Sequence, residues 1–297
     1  MDKHIKKQLA FTLIELLVVI AIIGILSALI VVGMSSTTQK ATIAKAQVFS
    51  NSLRNALMSN MVSEWKFDQV DVPTSGKTPD SWGTNNGTLV DALGACDVSH
   101  CPQWVASCVY GGCFNFDDTG DYIDLASIIS LSGEFTVGIW AYRDTNNTYD
   151  FIVGNSGNDC KIGFHSSNKK MFVRIIAGGT SDSSSSGEIL INTWNYIVIT
   201  RNSSNKVDYY LNGGNALRLF SDVAQVGNFE FNRLGNDSGN YYDGKIDEIR
   251  AFTAVIPTSQ IQQNYFAGLS KIFAKQIIRT AEYQKRITGL TSNYAKK

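Results

Sequence analysis

Proline is scarce in this chain, with four in 297 residues and none between Ser35 and Trp65. Glycine is missing from that stretch too, so nothing in it removes a backbone donor or breaks a helix. Histidine is rarer still. His4, His100 and His165 have neither nucleophile–base nor common metal-ligand spacing, which argues against histidine-driven chemistry. Net charge is absent: 26 basic residues balance 26 acidic ones. Without a positive excess or an aromatic-interleaved basic motif, nucleic acid is not an expected partner.

What is present begins at Phe11. From there to Met34 the chain is uncharged except for Glu15. Two dozen apolar residues suffice to cross a bilayer as a helix. A carboxylate in such a helix is costly and needs a partner. Lys3, Lys6 and Lys7 precede the run against Asp2 alone, which would hold this leader on the cytoplasmic side. A secretory signal places its small cleavage-site residue after the apolar core; here the small residue, Ala10, comes before it.

Ala10-Phe11-Thr12-Leu13-Ile14-Glu15 resembles the processing site of type IV pilins and pseudopilins. The resemblance implies that a prepilin peptidase cuts between Ala10 and Phe11 and that the new amine is methylated. It also implies that Glu15 pairs with the amine of a neighbouring pilin-like subunit. A protonated amine is a suitable partner for a carboxylate among apolar helices. Ala10 stands where the family usually has Gly, and Val32 where many pilins have Pro. The alternative is a plain single-pass anchor. Phe49, Leu53, Leu57 and Met61 extend a helical stripe, and a helix from Phe11 to Val62 would be about 80 Å long. Loss of the leader leaves 23 basic and 25 acidic residues, or −2.

Five cysteines lie in the part expected outside the cytoplasm. Cys96, Cys101, Cys108 and Cys113 follow x4, x6 and x4 spacings, with Cys160 apart. An oxidising compartment favours disulfides, and two bridges among five thiols allow 15 pairings. A zinc site using His100 is the alternative, although x4 spacing suits it poorly. Around these cysteines the pattern becomes short strands and polar turns. Phe135, Val137 and Ile139 alternate; Trp194–Thr200 and Lys245–Phe252 alternate again. Such spacing indicates an all-β sandwich or barrel.

Several blocks occur in the order found in concanavalin A-like jelly rolls of the laminin G type. They are Glu64–Asp68, Phe114–Leu125, Phe135–Trp140, Trp194–Tyr196, Tyr210–Gly213 and Asp243–Arg250. The resemblance implies two packed antiparallel sheets and, in many members, one structural Ca2+. It points to Asp68 and Asp247 as ligands, with Asp121 a weaker choice. The alternative is that Asp68 and Asp247 cap turns or pair with Lys66 and Arg250. Trp82, Tyr241, Tyr242 and Asp243, in expected loops, are candidates for binding a glycan or a surface protein. The family's Glu-x-Asp-x-Glu glucanase pattern is missing. Asp247 and Glu248 are neighbours on an expected strand, which sends them to opposite faces. Sugar hydrolysis with retention needs carboxyls about 5 Å apart, so an enzyme is not expected.

From Ser270 onward seven basic residues face only Glu282. Ile261, Tyr265, Leu269 and Ile272 form a helical stripe that Ile287, Leu290 and Tyr294 continue, with a break expected near Gly289. The expected class is α+β: leader 1–10, transmembrane and stalk helix 11–61, jelly roll 62–267 and helical tail 268–297. The expected place is the bacterial cytoplasmic membrane, crossed once with the jelly roll outside, or a surface filament.

Overall fold

The computed structural model describes residues 13–14, 16–24, 44–45, 48, 58–68, 76–92, 96, 101–145, 149–157, 159–165, 170–175, 182–183 and 189–294. Two compact units divide between Gln47 and Val48. In the first, residues 13–14 and 16–24 are helical, and Leu13, Ile14, Leu16, Leu17, Ile20 and Ile23 are exposed. Among the described residues no helix is long and apolar enough to cross a membrane. Most of the expected 11–61 helix lies outside them.

The second unit begins with β1 (Met61–Trp65), β2 (Lys77–Thr78), β3 (Gly87–Asp91), β4 (Gln103–Val105), β5 (Cys113–Asp117) and β6 (Asp121–Leu131). It continues through β7 (Phe135–Arg143), β8 (Tyr149–Gly154), β9 (Lys161–His165), β10 (Lys170–Arg174), β11 (Asp182–Ser183) and β12 (Trp194–Arg201). Then come β13 (Val207–Leu211), β14 (Leu217–Arg218), β15 (Phe229–Leu234), β16 (Asn236–Asp237), β17 (Asn240–Tyr241) and β18 (Asp243–Phe252). Helices α1 (Thr258–Ala274) and α2 (Thr280–Tyr294) follow. One antiparallel sheet runs β14-β13-β12-β7-β18-β5-β4, with β1 also on β18; the other runs β11-β10-β9-β8-β15-β6-β3-β2.

Side-chain alternation builds two cores. Phe135, Val137, Ile139 and Ala141 of β7 and Ile197 and Ile199 of β12 point between the sheets. There Phe135 stacks on Phe229 at 5.5 Å. Trp140, Trp194, Tyr196 and Val198, on the other face of those strands, enter a second core beneath α1 and α2. Strands covered on both faces read as nearly continuous apolar runs, and β12 is buried along its whole length. Ile261, Tyr265, Leu269 and Ile272 supply the buried stripe of α1, at helical spacing. Gly268 allows the closest approach, since a Cβ there would lie 2.2 Å from the Trp140 ring. The break expected near Gly289 falls instead between Ala274 and Thr280; α2 runs through Gly289, where a Cβ would meet nothing within 4 Å. The expected boundary at 267/268 falls inside α1.

The cysteines pair as Cys96–Cys101 and Cys108–Cys113; Cys160 is buried outside both bridges, its thiol donating to Ile175 O at 3.0 Å.

Candidate functional site

Strand β18 assembles the main polar site. One edge pairs with β7; the other is shared by β5, along Asp243–Ile246, and β1, along Ile249–Phe252. The chain leaving β1 through Asp68 and the chain entering β5 through Gly111 and Gly112 therefore meet at the middle of β18. A bulge lies there. Ile246, Ile249 and Ala251 face the inner core, so one interval is three residues instead of two. The register with β7 shifts between Asp247 and Arg250, and Glu248 has a φ of 52°. A bulge inserts one residue and re-aims its neighbours. Strict alternation, and with it opposite faces for Asp247 and Glu248, does not hold. Both carboxyls are buried, and the Glu248 charge raises the proton affinity of Asp247.

Each acid is held differently. Asp247 Oδ2 accepts the Val109 and Tyr110 amides at 2.9 and 3.1 Å. Asp247 Oδ1 is buried without a hydrogen-bond partner among the described residues. Burial first, then the Glu248 charge, lifts the Asp247 pKa well above the carboxylate range. Burial also pushes Glu248 up to about 7, against the pull of Arg250. Arg250 bonds Glu64 Oε1 at 2.9 Å and also Glu248, while Lys66 lies 3.7 Å from Glu64. The cations that the sequence offered to Asp68 and Asp247 thus pair with Glu64 and Glu248. Neither glutamate stands out in the sequence; a buried charge in β1 is visible only once β1 is placed beside Arg250.

Asp68 reaches the same place. It accepts the Gly112 amide, and burial raises its pKa. Gly111 has φ +107°, and a Cβ on it would fall 2.0 Å from Asp68 Oδ1, so the loop tolerates only glycine there. The Cys108–Cys113 bridge closes this loop. Lys275, just beyond α1, donates to Cys108 O at 2.8 Å and lies 3.5 Å from Gly111 O. Calcium takes six to eight oxygens. The Cys108 and Gly111 carbonyls face the Lys275 ammonium, while the N–H groups of the same peptide units, at Val109 and Gly112, face Asp247 and Asp68, so carbonyls and carboxylates lie on opposite sides of the loop. Among the described residues no group of three or more His, Cys, Asp or Glu converges for a metal. As arranged, the residues do not fit a calcium ion.

Asp121 lies elsewhere. It opens β6 opposite Asp91, beside the Asp117–Gly120 turn. That turn pairs with Asp243 at the start of β18, about 13 Å along the strand from Asp247. Burial, then Asp117 and Asp91, pushes the Asp121 pKa to about 7.

The aromatic candidates separate. Trp82 Nε1 donates to Met61 O at 2.9 Å, and Met61 faces Phe252. Trp82 is therefore at the far end of β18 from Asp243, roughly 30 Å away. Its turn is organised by Asp80, which accepts the amides of Glu64, Trp82 and Gly83 at 2.8–3.1 Å. Tyr242 is a correction. It was expected in a loop, but it is fully buried between the sheets, 6.1 Å from Phe116, and its hydroxyl donates to Tyr142 O at 3.0 Å. It faces inward because it directly precedes β18, and its backbone is tied to Gly235 and Asp118. Tyr241 and Asp243 remain half-exposed, and Asp243 accepts from Thr145. Ala10, Phe11 and Glu15 lie outside the described residues.

A groove of about 580 Å³ opens between the 190–195 segment, the end of β13 and α2. Thr193, Asn195, Asn212, Glu282, Lys285 and Arg286 contribute polar groups. Arg286 is fixed by Trp194 O at 2.9 Å and Glu282 at 2.8 Å. Its size suits a small ligand; no local pattern announces it, because three distant segments form it.

A family model of the prokaryotic N-terminal methylation motif matches residues 5–31. A model of the concanavalin A-like lectin/glucanases superfamily matches residues 117–262. No curated protein matches the chain. Among solved structures, domain 4 of AbnA, a GH43 extracellular arabinanase from Geobacillus stearothermophilus in complex with arabinotriose, is 18% identical. The match has a TM-score of 0.51 and covers 68% of this chain and 97% of that one. The binding domain of Paraclostridial mosquitocidal protein 1 is 16% identical at TM-score 0.50, covering 72% of this chain and 53% of that one. The botulinum neurotoxin serotype D binding domain is 15% identical at TM-score 0.50, covering 72% and 52%. This chain thus spans about half the length of either toxin domain. At such identities the likeness is one of fold.

Proposed function

We propose, from a prokaryotic N-terminal methylation motif joined to a concanavalin A-like domain, that this chain is a pilin-like or pseudopilin subunit that displays a binding domain. Prepilin peptidase removes residues 1–10, and the helix beginning at Phe11 holds the chain in the cytoplasmic membrane or a filament. The jelly roll lies outside and binds a glycan or a surface protein. The position of the motif carries this reading, with Ala10 before the apolar run and Glu15 at its start. The exposed apolar side chains of residues 13–24 support it, since a surface of that kind needs lipid or neighbouring helices.

The domain binds rather than hydrolyses. Asp247 and Glu248 are buried, and a hydrolytic pair must flank a sugar. The groove beside α2 and the Tyr241–Asp243 surface are the places for a ligand. A domain solved with arabinotriose shares the fold, which is consistent with a saccharide. Ala10 in place of glycine favours a second reading, a membrane-anchored lectin-like adhesin that does not polymerise.

Glu15→Ala distinguishes the two. If the chain polymerises, the variant disappears from filaments sheared off cells while remaining in the membrane. Unchanged recovery in the sheared fraction would remove the role assigned to Glu15.

A further inference from the structure

Helices α1 and α2 cover the outer face of one sheet; the outer face of the other carries a polar and aromatic cluster. On β6, Tyr122 and Asp124 are two residues apart and so share that face, and both are half-exposed. Arg233 of β15 stands directly opposite Asp124. The Arg233 guanidinium lies 4.6 Å from the centre of the Tyr122 ring, and its Nε is 3.7 Å from Asp124 Oδ1. That Nε is buried without a hydrogen-bond partner among the described residues.

A wall rises beside this floor. The β16–β17 hairpin passes over the sheet at Gly154, where a Cβ would come within 2.3 Å of Asn236 O. Successive residues of a strand point to opposite sides. Asp237, on one side of the hairpin, is held by the Lys161 ammonium. Asn236, on the other, accepts from Arg233 at 3.2 Å. Directly opposed residues of an antiparallel pair share a side, and Tyr241 pairs with Asn236. Half-exposed Tyr241 therefore stands on the side of the hairpin that looks onto Arg233 and Tyr122.

The chemistry of this corner is specific. Arg233 offers only donors and Asp124 only acceptors, and their charges cancel. Side by side, they match two neighbouring hydroxyls, one accepting and one donating. The tyrosine rings beside them offer an apolar surface with a polar tip. A sugar presents both features together, adjacent hydroxyls and an apolar C–H face. An anion would need a positive excess, yet β6 opens with Asp121 opposite Asp91. We infer that Tyr122, Asp124, Arg233 and Tyr241 form a binding site for a neutral saccharide. Asp124 and Arg233 take neighbouring hydroxyls, and Tyr241 lies against the C–H face of the sugar ring. This rests on the reading of the jelly roll as a binding domain. It puts the ligand on the sheet that the helices leave open, and not in the groove beside α2.

The test is binding of the full chain, in detergent, to an array of immobilised neutral, uronic acid-bearing and sulfated glycans. The neutral glycans retain it. Calorimetry with the strongest neutral binder then gives about tenfold weaker affinity for Asp124→Ala, the effect of losing one hydrogen bond to a charged group. Tyr241→Ala weakens binding as well. Both side chains are half-exposed, so both variants melt within about 2 °C of wild type. Hydrogen exchange with the same glycan shows protection in 121–125 and 236–241. Retention by acidic glycans alone, or unchanged affinity in either variant, would overturn the inference. So would protection at 190–195 and 280–290 instead, which would leave the binding role of the domain intact. Binding to no glycan at all would overturn it and remove the saccharide from the proposed function too.

Discussion

Two groups of buried acids touch the same strand and are treated in opposite ways. At the middle of β18, Glu64, Asp68, Asp247 and Glu248 have Arg250 and Lys66 among them, together with three loop amides. At its start, Asp121 sits among Asp91 and Asp117, and no cation is among the groups that set its proton affinity. In the first group cations or loop amides pull against the protonation that burial favours. In the second, burial and the neighbouring acids push the same way. A carboxyl in a poorly solvated place among other acids holds its proton more tightly, and Asp121 does so while hydrogen-bonded to Asp117.

The contrast is broken most severely at Arg250. Arg250→Met leaves Glu64 and Glu248 facing each other without their shared cation. Removing one partner from a buried pair costs about 3–5 kcal/mol; because Arg250 keeps 20% of its side chain exposed, about 3 kcal/mol is expected. Chemical denaturation would show it as a lower midpoint with an unchanged slope. A loss under 1 kcal/mol would mean that the network is solvated. Next comes the loop. Replacing Cys108 and Cys113 together by Ser frees a short loop, at a cost of about 2 kcal/mol. The amides of Val109 and Tyr110 should then exchange with solvent faster, while those of β12 stay protected.

The smallest effect concerns the acidic end and depends on pH. Asp121 has a folded pKa of about 7 and an unfolded one of about 3.9. The native state therefore binds more protons between about pH 4 and 7, and stability from this group falls as pH rises through that window. Asp121→Asn mimics the protonated acid. It should match wild type at pH 5 and melt about 2–4 °C higher at pH 8. Equal melting at both values would mean that Asp121 is ionised throughout.

The outer form of this arrangement was readable from residue types. Alternation in Phe135–Tyr142 and Trp194–Thr200 placed the inward residues of β7 and β12 correctly, and the Ile261–Ile272 stripe identified the buried face of α1. Asp68 and Asp247, expected as partners in one site, each hold amides of the 108–113 loop. What periodicity does not carry is an interruption of itself: the bulge at Glu248 shifts the pattern by one residue, and only pairing with β7 reveals it. Nor does it carry contacts that join distant segments. Glu64 at Arg250 depends on the pairing of β1 with β18, and Lys275 at Cys108 and the groove beside α2 depend on how the helices cover the sheet. Tyr242 was misplaced for a related reason: Gly and Asn neighbours suggested a loop, yet the next residue begins β18.

The proposed role stands or falls on what happens at Ala10 and Phe11. Intact mass of the protein recovered from membranes tests it most directly. A mature chain that begins at Phe11, carries one additional methyl group on its amine and contains two disulfides is the predicted result. A chain that still begins at Met1, with an unmodified amine, would contradict it.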